Sequence, residues 1–284
     1  MFLNNSKKLL TIVIPSLNQG RYLERTIQSV IAQKEPDIEI FVIDGGSTDN
    51  SIEIIKKYAT SIEYWVSEPD RGQSHAFNKA FSRAKGRYLT WVNSDDLLLK
   101  DSIKLFRNFV AKKSFPNWVV ANSMWINTHD KIKKCSFTSD WSDCLINSSF
   151  LSVGAPSAFF SKKIFKFVGG INENFHYSMD TELWHRFAKY GFRYERLDHF
   201  VWALRVHSLA KTSAHNFTVN HHSLALIKNE AEQIRLLYFP DFKITISFLF
   251  CRFFNKLKNG AKIKSIVYTM SKKNKYAPVN KFKC

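Results

Sequence analysis

The chain is poor in the features that announce several common protein classes. Its four cysteines, Cys135, Cys144, Cys251 and Cys284, form no CxxC pair and no finger-like spacing. That argues against a zinc module or a disulfide framework and suits a reducing cytoplasm. Neither GxGxxG nor GxxxxGK[ST] occurs, which argues against a nicotinamide dehydrogenase and a P-loop kinase. No apolar run approaches the ~18 residues needed to span a bilayer. The amino terminus, MFLNNSKKLLTIVIP, has no small-residue cleavage site after its apolar run, so it is expected to enter a first strand and not to be a secretory signal. Residues 243–284 contain no Asp or Glu.

That last absence accounts for much of the charge. The net charge is +18, and eleven Lys or Arg fall within residues 243–284. An anionic partner is implied, either nucleic acid, anionic lipid or a phosphorylated substrate. At 284 residues the chain has room for one large or two modest domains, at roughly 150 residues each.

Strand and helix patterns alternate through the first third. Residues 9–15 (LLTIVIP) form a continuous apolar run of the kind that makes a buried parallel strand. Leu23, Ile27, Val30 and Ile31 then fall at helical spacing, with Asn18 placed to cap the helix. Residues 38–43 (IEIFVI) predict a second strand ending in Asp44, and Gly45-Gly46-Ser47 a turn. Asn50 and Glu53 have capping-box spacing, so Asp49 is assigned to structure and Asp44 kept as a functional candidate. A short strand at 62–66 and a helix at 73–84 follow. Four βα units in succession predict a doubly wound, mostly parallel sheet flanked by helices.

The stretch 87–99 (RYLTWVNSDDLLL) places Asp95 and Asp96 directly after a strand-like run. Ligands of open α/β sheets bind at the carboxyl ends of strands, and paired carboxylates invite a hard divalent cation. The alternative is that Ser94 or Asp95 caps a helix starting near Leu97. Further on, 157–161 predicts a strand, Gly169-Gly170 a turn, and Leu183, Trp184, Phe187 and Ala188 one face of a helix that begins at about Asp180. Asp180 there is either an N-cap or a functional carboxylate. His207 closes the apolar strand 200–206, a place where a lone histidine is usually structural; His75, His176 and His185 have no chemical context, and His221-His222 reads as surface.

Four segments in order and register, TIVIPSLN (11–18), DGGSTD (44–49), RGQSHAFN (71–78) and NSDD (93–96), resemble the family 2 glycosyltransferases. The resemblance implies an α/β GT-A fold with a Rossmann-like sheet, and inverting transfer of a sugar from a nucleoside diphosphate, UDP being the first guess. It implies that Ser16, Asn18 and Asp44 line the base and ribose pocket and that Gly72, Gln73 and Asn78 border the nucleotide. Asp95 would face ribose or metal. Asp96 would be the principal ligand of a divalent metal, Mn2+ or Mg2+, in a DxD-type motif that here reads Ser94-Asp95-Asp96 and lacks its first aspartate. The segment MDTELWHR (179–186) resembles the acceptor-site motif, which makes Asp180 the general base with Glu182 as runner-up. In Leu-Arg-Val-His the resemblance brings His207 to the metal, with Lys211 adding positive charge.

The resemblance ends near residue 215, which divides the chain into a catalytic domain, 1–215, and a basic helical carboxyl-terminal extension, 216–284. Within the extension, Ile263, Ile266, Val267 and Met270 share a helical face, and residues 244–254 carry an aromatic cluster. Basic amphipathic helices lie on anionic membranes, so an anionic membrane surface is an expected partner. The alternative is that these apolar faces pack on the catalytic domain. The expected location is the cytoplasm, peripheral on the inner face of the membrane, with a glycan or lipid-linked glycan as acceptor. Nucleic-acid binding would also suit the charge, but the excess lies away from the carboxylate motifs and no RNA-binding signature occurs, so no nucleic acid is expected as partner. A catalytically inactive sugar-nucleotide-binding module is the other rival, and retention of both Asp96 and Asp180 argues against it.

Overall fold

The computed structural model describes residues 8–142, 153, 157–208, 210–211, 221–240, 261–273 and 275–278. The first third alternates as the apolar periodicity predicts: β1 (Leu10–Ser16), α1 (Gly20–Ile31), β2 (Ile38–Asp44), α2 (Ser51–Lys57), β3 (Tyr64–Ser67), α3 (Gln73–Arg83) and β4 (Tyr88–Trp91). These four strands pair in parallel in the order β3-β2-β1-β4. Then come β5 (Leu97–Leu98), α4 (Ser102–Lys112), β6 (Trp118–Ile126), β7 (Ile132–Ser136), β8 (Ala158–Ser161), α5 (Lys162–Phe167), α6 (Met179–Lys189) and β9 (Glu195–Arg205). Strand β8 inserts antiparallel between β4 and β6, and the sheet continues through β9 to β5.

Both faces of this sheet are covered, which is why its inner strands read as unbroken apolar runs. In β1, Ile12 and Ile14 pack with Leu23, Ile27 and Val30 of α1 on one face. Val13 points the other way, into a cluster with Phe77 and Phe81 of α3 and Trp184 and Phe187 of α6. Two helices follow the sheet, α7 (His221–Tyr238) and α8 (Ala261–Lys272). Ile234 of α7 is buried in the α3/α6 cluster.

Three local expectations change. The helix foreseen near Leu97 is instead strand β5, because Leu97 and Leu98 are buried opposite Ala203 and Trp202 of β9. Helix α4 starts only at Ser102, so neither Ser94 nor Asp95 is its cap. Asn18 does not cap α1. It adopts a left-handed conformation (φ 52°), and its side-chain oxygen accepts the Thr48 N–H (2.8 Å). Nor does the Asn50–Glu53 capping box form, since the Asn50 side chain makes no capping bond. Asp49 serves both helix starts, accepting the N–H of Gly20 (2.9 Å) and of Ser51 (3.0 Å). A side chain at Gly20 would collide with Asn50, its Cβ falling 1.8 Å from Oδ1.

The aromatic cluster at 244–254, the side chains of His221, His222 and Ile263, and Cys144, Cys251 and Cys284 lie outside the described residues. Cys135 is buried.

Candidate active site

The turn that leaves β4 is fixed from three sides. Beneath it, the Thr26 hydroxyl is shared between the carbonyls of Ser94 (2.8 Å) and Asp96 (2.7 Å). From the end of β9, the Arg205 backbone N–H donates to Asp96 Oδ1 (2.8 Å), and its guanidinium donates to the Asp95 carbonyl (2.8 Å). Asn93 Nδ2 donates to Asp96 Oδ2 (2.9 Å), while Asn93 Oδ1 accepts from Gln73 Nε2 (2.8 Å). Both oxygens of Asp96 are therefore engaged. Burial, then the neighbouring Asp95, push its carboxyl well above the usual carboxylate range. Asp95 faces a different partner: its Oδ2 lies 3.0 Å from Nε2 of His207, whose ring packs on Tyr22 at 4.7 Å between centroids.

A cavity of about 720 Å³ opens over this turn, lined by Ser16, Gly72, Gln73, Asp95, Asp96 and Asp180. The left-handed Gly72 (φ 107°) lets α3 start against the His176 ring, 3.3 Å from where a Cβ would stand. His176, Tyr177 and Lys211 add to the wall. Trp91 at the floor is stacked on Trp184, with ring planes 1° apart. Such a packed aromatic base gives the polar groups a rigid support.

Four of the residues assigned to the site from the sequence, Asp44, Asn18, Asn78 and His207, do not line this cavity. Asp44 is fully buried and holds the turn after β2, its Oδ2 accepting from Ser47 N–H (2.8 Å) and Ser67 Oγ (2.7 Å). Asn18 is bound to Thr48 as described. Asn78 ties down the turn after Gly169-Gly170, donating to the Ile171 carbonyl (2.8 Å) and accepting its N–H (2.9 Å). His207 belongs to the site through Asp95.

Asp180 stands in the first turn of α6, where Oδ1 accepts the Thr181 N–H (2.7 Å). Burial raises its pKa above the ordinary aspartate value. Glu182 points elsewhere: it pairs with Arg186 (2.8 Å) and accepts from the Tyr238 hydroxyl (2.6 Å). Lys211 Nζ donates to Gln73 Oε1 (3.2 Å). Crowding by protein pushes this amine down to about 8, with Glu230, Asp180 and Asp70 opposing the shift.

Several site residues carried no sequence signal. Asp70 lines the cavity and accepts the Gly72 N–H (2.8 Å). Glu230, on α7, is buried and accepts three consecutive amides, those of His176 (2.7 Å), Tyr177 (2.9 Å to Oε2) and Ser178 (2.7 Å). Only its freedom from an i,i+4 partner among neighbouring basic residues could have singled it out. Asn93 was visible as a turn residue, but not as the link between Gln73 and Asp96.

Donors for a cation exist here in limited number. Among the described residues, no group of three His, Cys, Asp or Glu is arranged to hold a metal ion. Asp95 and His207 offer two adjacent donors, and each Asp96 oxygen keeps a second lone pair. That donor set fits a cation bound mainly through substrate phosphates, as Mg2+ commonly is.

Residues 11–167 match the family model described as Glycosyl transferase family 2. The chain belongs to this family. It is 34% identical over 115 residues to the putative teichuronic acid biosynthesis glycosyltransferase TuaG of Bacillus subtilis, covering 39% of this chain and 46% of that protein. The chain thus spans less than half the length of that relative. Among solved structures, S. aureus TarS 1–349 in complex with UDP-GlcNAc superposes with a TM-score of 0.60 at 16% identity, covering 83% of this chain and 68% of that one. The mannosyltransferase PcManGT from Pyrobaculum calidifontis, in complex with GDP-Man and Mn2+, gives 0.59 at 16% identity, covering 92% and 75%. At such identity the likeness is one of fold, and this family 2 glycosyltransferase has the GT-A-like α/β architecture.

Proposed function

We propose that this glycosyltransferase moves a sugar with inversion from a nucleoside diphosphate sugar, UDP-linked in the first instance, to a hydroxyl of a glycan or lipid-linked glycan in surface polysaccharide synthesis. The observation that carries this reading is the single cavity that joins Ser16 and Gln73, the Asp95 turn and Asp180. The relatives named for teichuronic acid and solved with UDP-GlcNAc or GDP-Man support the donor and product classes. The enzyme works as a peripheral protein on the inner face of the membrane. Among the described residues no helix is long and apolar enough to cross one.

Each group has a task in this reading. Ser16, Gly72 and Gln73 border the nucleotide. Asp95 and His207, with Asp96 able to join, hold a divalent cation, which when bound offsets charge on the leaving diphosphate. Lys211, bonded to Gln73, adds a positive charge to the same cavity while it is protonated. Asp180 accepts the proton of the attacking hydroxyl, and the α6 position fixes its direction. Its raised pKa brings the carboxylate closer to the basicity that proton acceptance requires.

Asp180→Asn tests the reading, because an amide keeps the shape and cannot take the proton. The expected result is near-normal donor binding, by thermal shift with UDP-sugars and manganese, and transfer reduced by ~10²–10⁴-fold. Glu182 cannot substitute while it is held by Arg186 and Tyr238. A folded variant with wild-type turnover removes Asp180 from the reaction.

A further inference from the structure

Helix α8 docks with its polar and aromatic side inward and its aliphatic side outward. On the inner side, Thr269 Oγ1 accepts the Cys135 N–H (2.8 Å) and Ser265 Oγ accepts the Phe137 N–H (3.2 Å). These are outward-facing amides on and just beyond β7, which would otherwise form an open sheet edge. Tyr268 stacks on Phe200 with centroids 5.2 Å apart, and past the helix the Lys275 carbonyl accepts the Ile132 N–H (2.8 Å). The edge strand is thereby sealed.

The outer side is the reverse of what water favours. Ile266 is 53% exposed, Val267 61% and Met270 75%, and they form one face by their i, i+1, i+4 spacing. Tyr276, just beyond, is 70% exposed. Lys264, Lys273 and Lys275 are exposed around them, and Lys264 also lies near enough to Asp198 to influence it. No acidic residue occurs anywhere in 243–284. A second copy of the same face would bring lysine against lysine, whereas an anionic lipid surface complements both the charge and the apolar row.

We infer that the outer face of α8, with Ile266, Val267 and Met270 at its centre and Lys273 and Lys275 beside them, docks on an anionic lipid bilayer. It rests on the proposed function only for its purpose, which is to bring a lipid-linked acceptor to the cavity. Helix α8 is at once a structural cover for β7 and the membrane contact. Removing it would open the sheet edge, so the test uses substitutions in the full chain.

The test is sedimentation with vesicles of phosphatidylcholine, with and without phosphatidylglycerol, at low and high salt. The wild type is expected to bind only the anionic vesicles and to be partly released by salt. Ile266→Ser/Val267→Ser/Met270→Ser and, separately, Lys273→Glu/Lys275→Glu are each expected to lose at least about tenfold in vesicle affinity, since one basic residue near an anionic surface is worth about fivefold. Both variants should keep the wild-type thermal shift with UDP and manganese, a readout that reports on the nucleotide site and not on the membrane. The inference is overturned if the wild type ignores anionic vesicles or if both variants bind as well as it does. It is equally overturned if the wild type is a dimer that the triple substitution makes monomeric, since the face then meets a second copy. A triple variant that loses its melting transition, with the lysine variant still binding, assigns the face to the chain's own core and also overturns it.

Discussion

Glu230→Gln probes the contact that joins helix α7 to the reactive wall. The Glu230 carboxylate receives three successive backbone amides just ahead of Asp180, from His176, Tyr177 and Ser178. A hydrogen bond to a charged group contributes ~1.5–3 kcal/mol. Glutamine keeps one acceptor oxygen, loses the charge, and presents an NH2 to at least one N–H. The loss is therefore worth about one charge-assisted bond plus one unpaired buried donor, or roughly 3 kcal/mol of local stability. An energy of this size is about a hundredfold in the balance between the ordered and opened forms of residues 176–180. The expected readouts are faster amide exchange at 176–178 and kcat lowered by ~10-fold or more, with donor affinity changed far less because Ser16, Gln73 and Asp95 lie on other elements. Glu230→Asp keeps the charge and should restore part of kcat. If Glu230→Gln leaves both amide exchange and kcat at wild-type values, Glu230 does not position the wall.

The other predictions concern the nucleotide end of the cavity. Asp95→Asn should abolish the manganese-dependent part of UDP stabilisation without lowering the melting temperature of the free protein. Asp96→Asn should weaken the manganese effect and lower that temperature too, because Asp96 accepts the Arg205 and Asn93 N–H groups; full manganese effects in both variants would falsify the metal assignment. Lys211 is protonated below its depressed pKa of about 8 and neutral above it, so donor affinity should fall as pH rises through a range between 8 and the ordinary 10.5, the exposed stem softening the shift. Lys211→Arg holds its charge to higher pH and should remove that alkaline limb; a limb that persists in this variant belongs to another group.

The sheet was legible because its central strands are buried on both faces, and uninterrupted apolar runs such as residues 9–15 have few other uses. Strand β5 was not. Two leucines carry no period, and their state is decided by Ala203 and Trp202, about a hundred positions later. Asp49 was readable as structural, but its bond to Gly20 N–H crosses from the start of one helix to another, so local capping rules pointed to Asn50 instead. Asp95 and Asp96 are adjacent and chemically identical on paper. Alternate side-chain direction sends one to His207 and the other to Asn93 and the Arg205 amide. Asp180 and Glu182 separate in a similar way. Two positions along a helix turn a side chain by roughly 200°, so Asp180 reaches the cavity while Glu182 meets Tyr238 of α7.

These directions divide the site along the chain. Ser16, Gln73 and Asp95 fall within residues 11–167, the span of the family match. Asp180, His207, Lys211 and Glu230 lie beyond it, on α6, after β9 and on α7. In the proposed reading the earlier group would border the nucleotide, which demands similar contacts from any donor with a diphosphate. Of the later group, Asp180 would meet the attacking hydroxyl in the proposed reading, with Glu230 holding the chain just ahead of it, while His207 and Lys211 reach back to Asp95 and Gln73. Glu230 binds the two parts mechanically, since its three amides belong to the segment that carries His176 and Tyr177 into the wall of the cavity. A change of acceptor preference would therefore be sought first among side chains on α6 and α7, where repacking alters the wall around Asp180 and leaves the Asp95 turn, fixed by Thr26, Asn93 and Arg205, undisturbed.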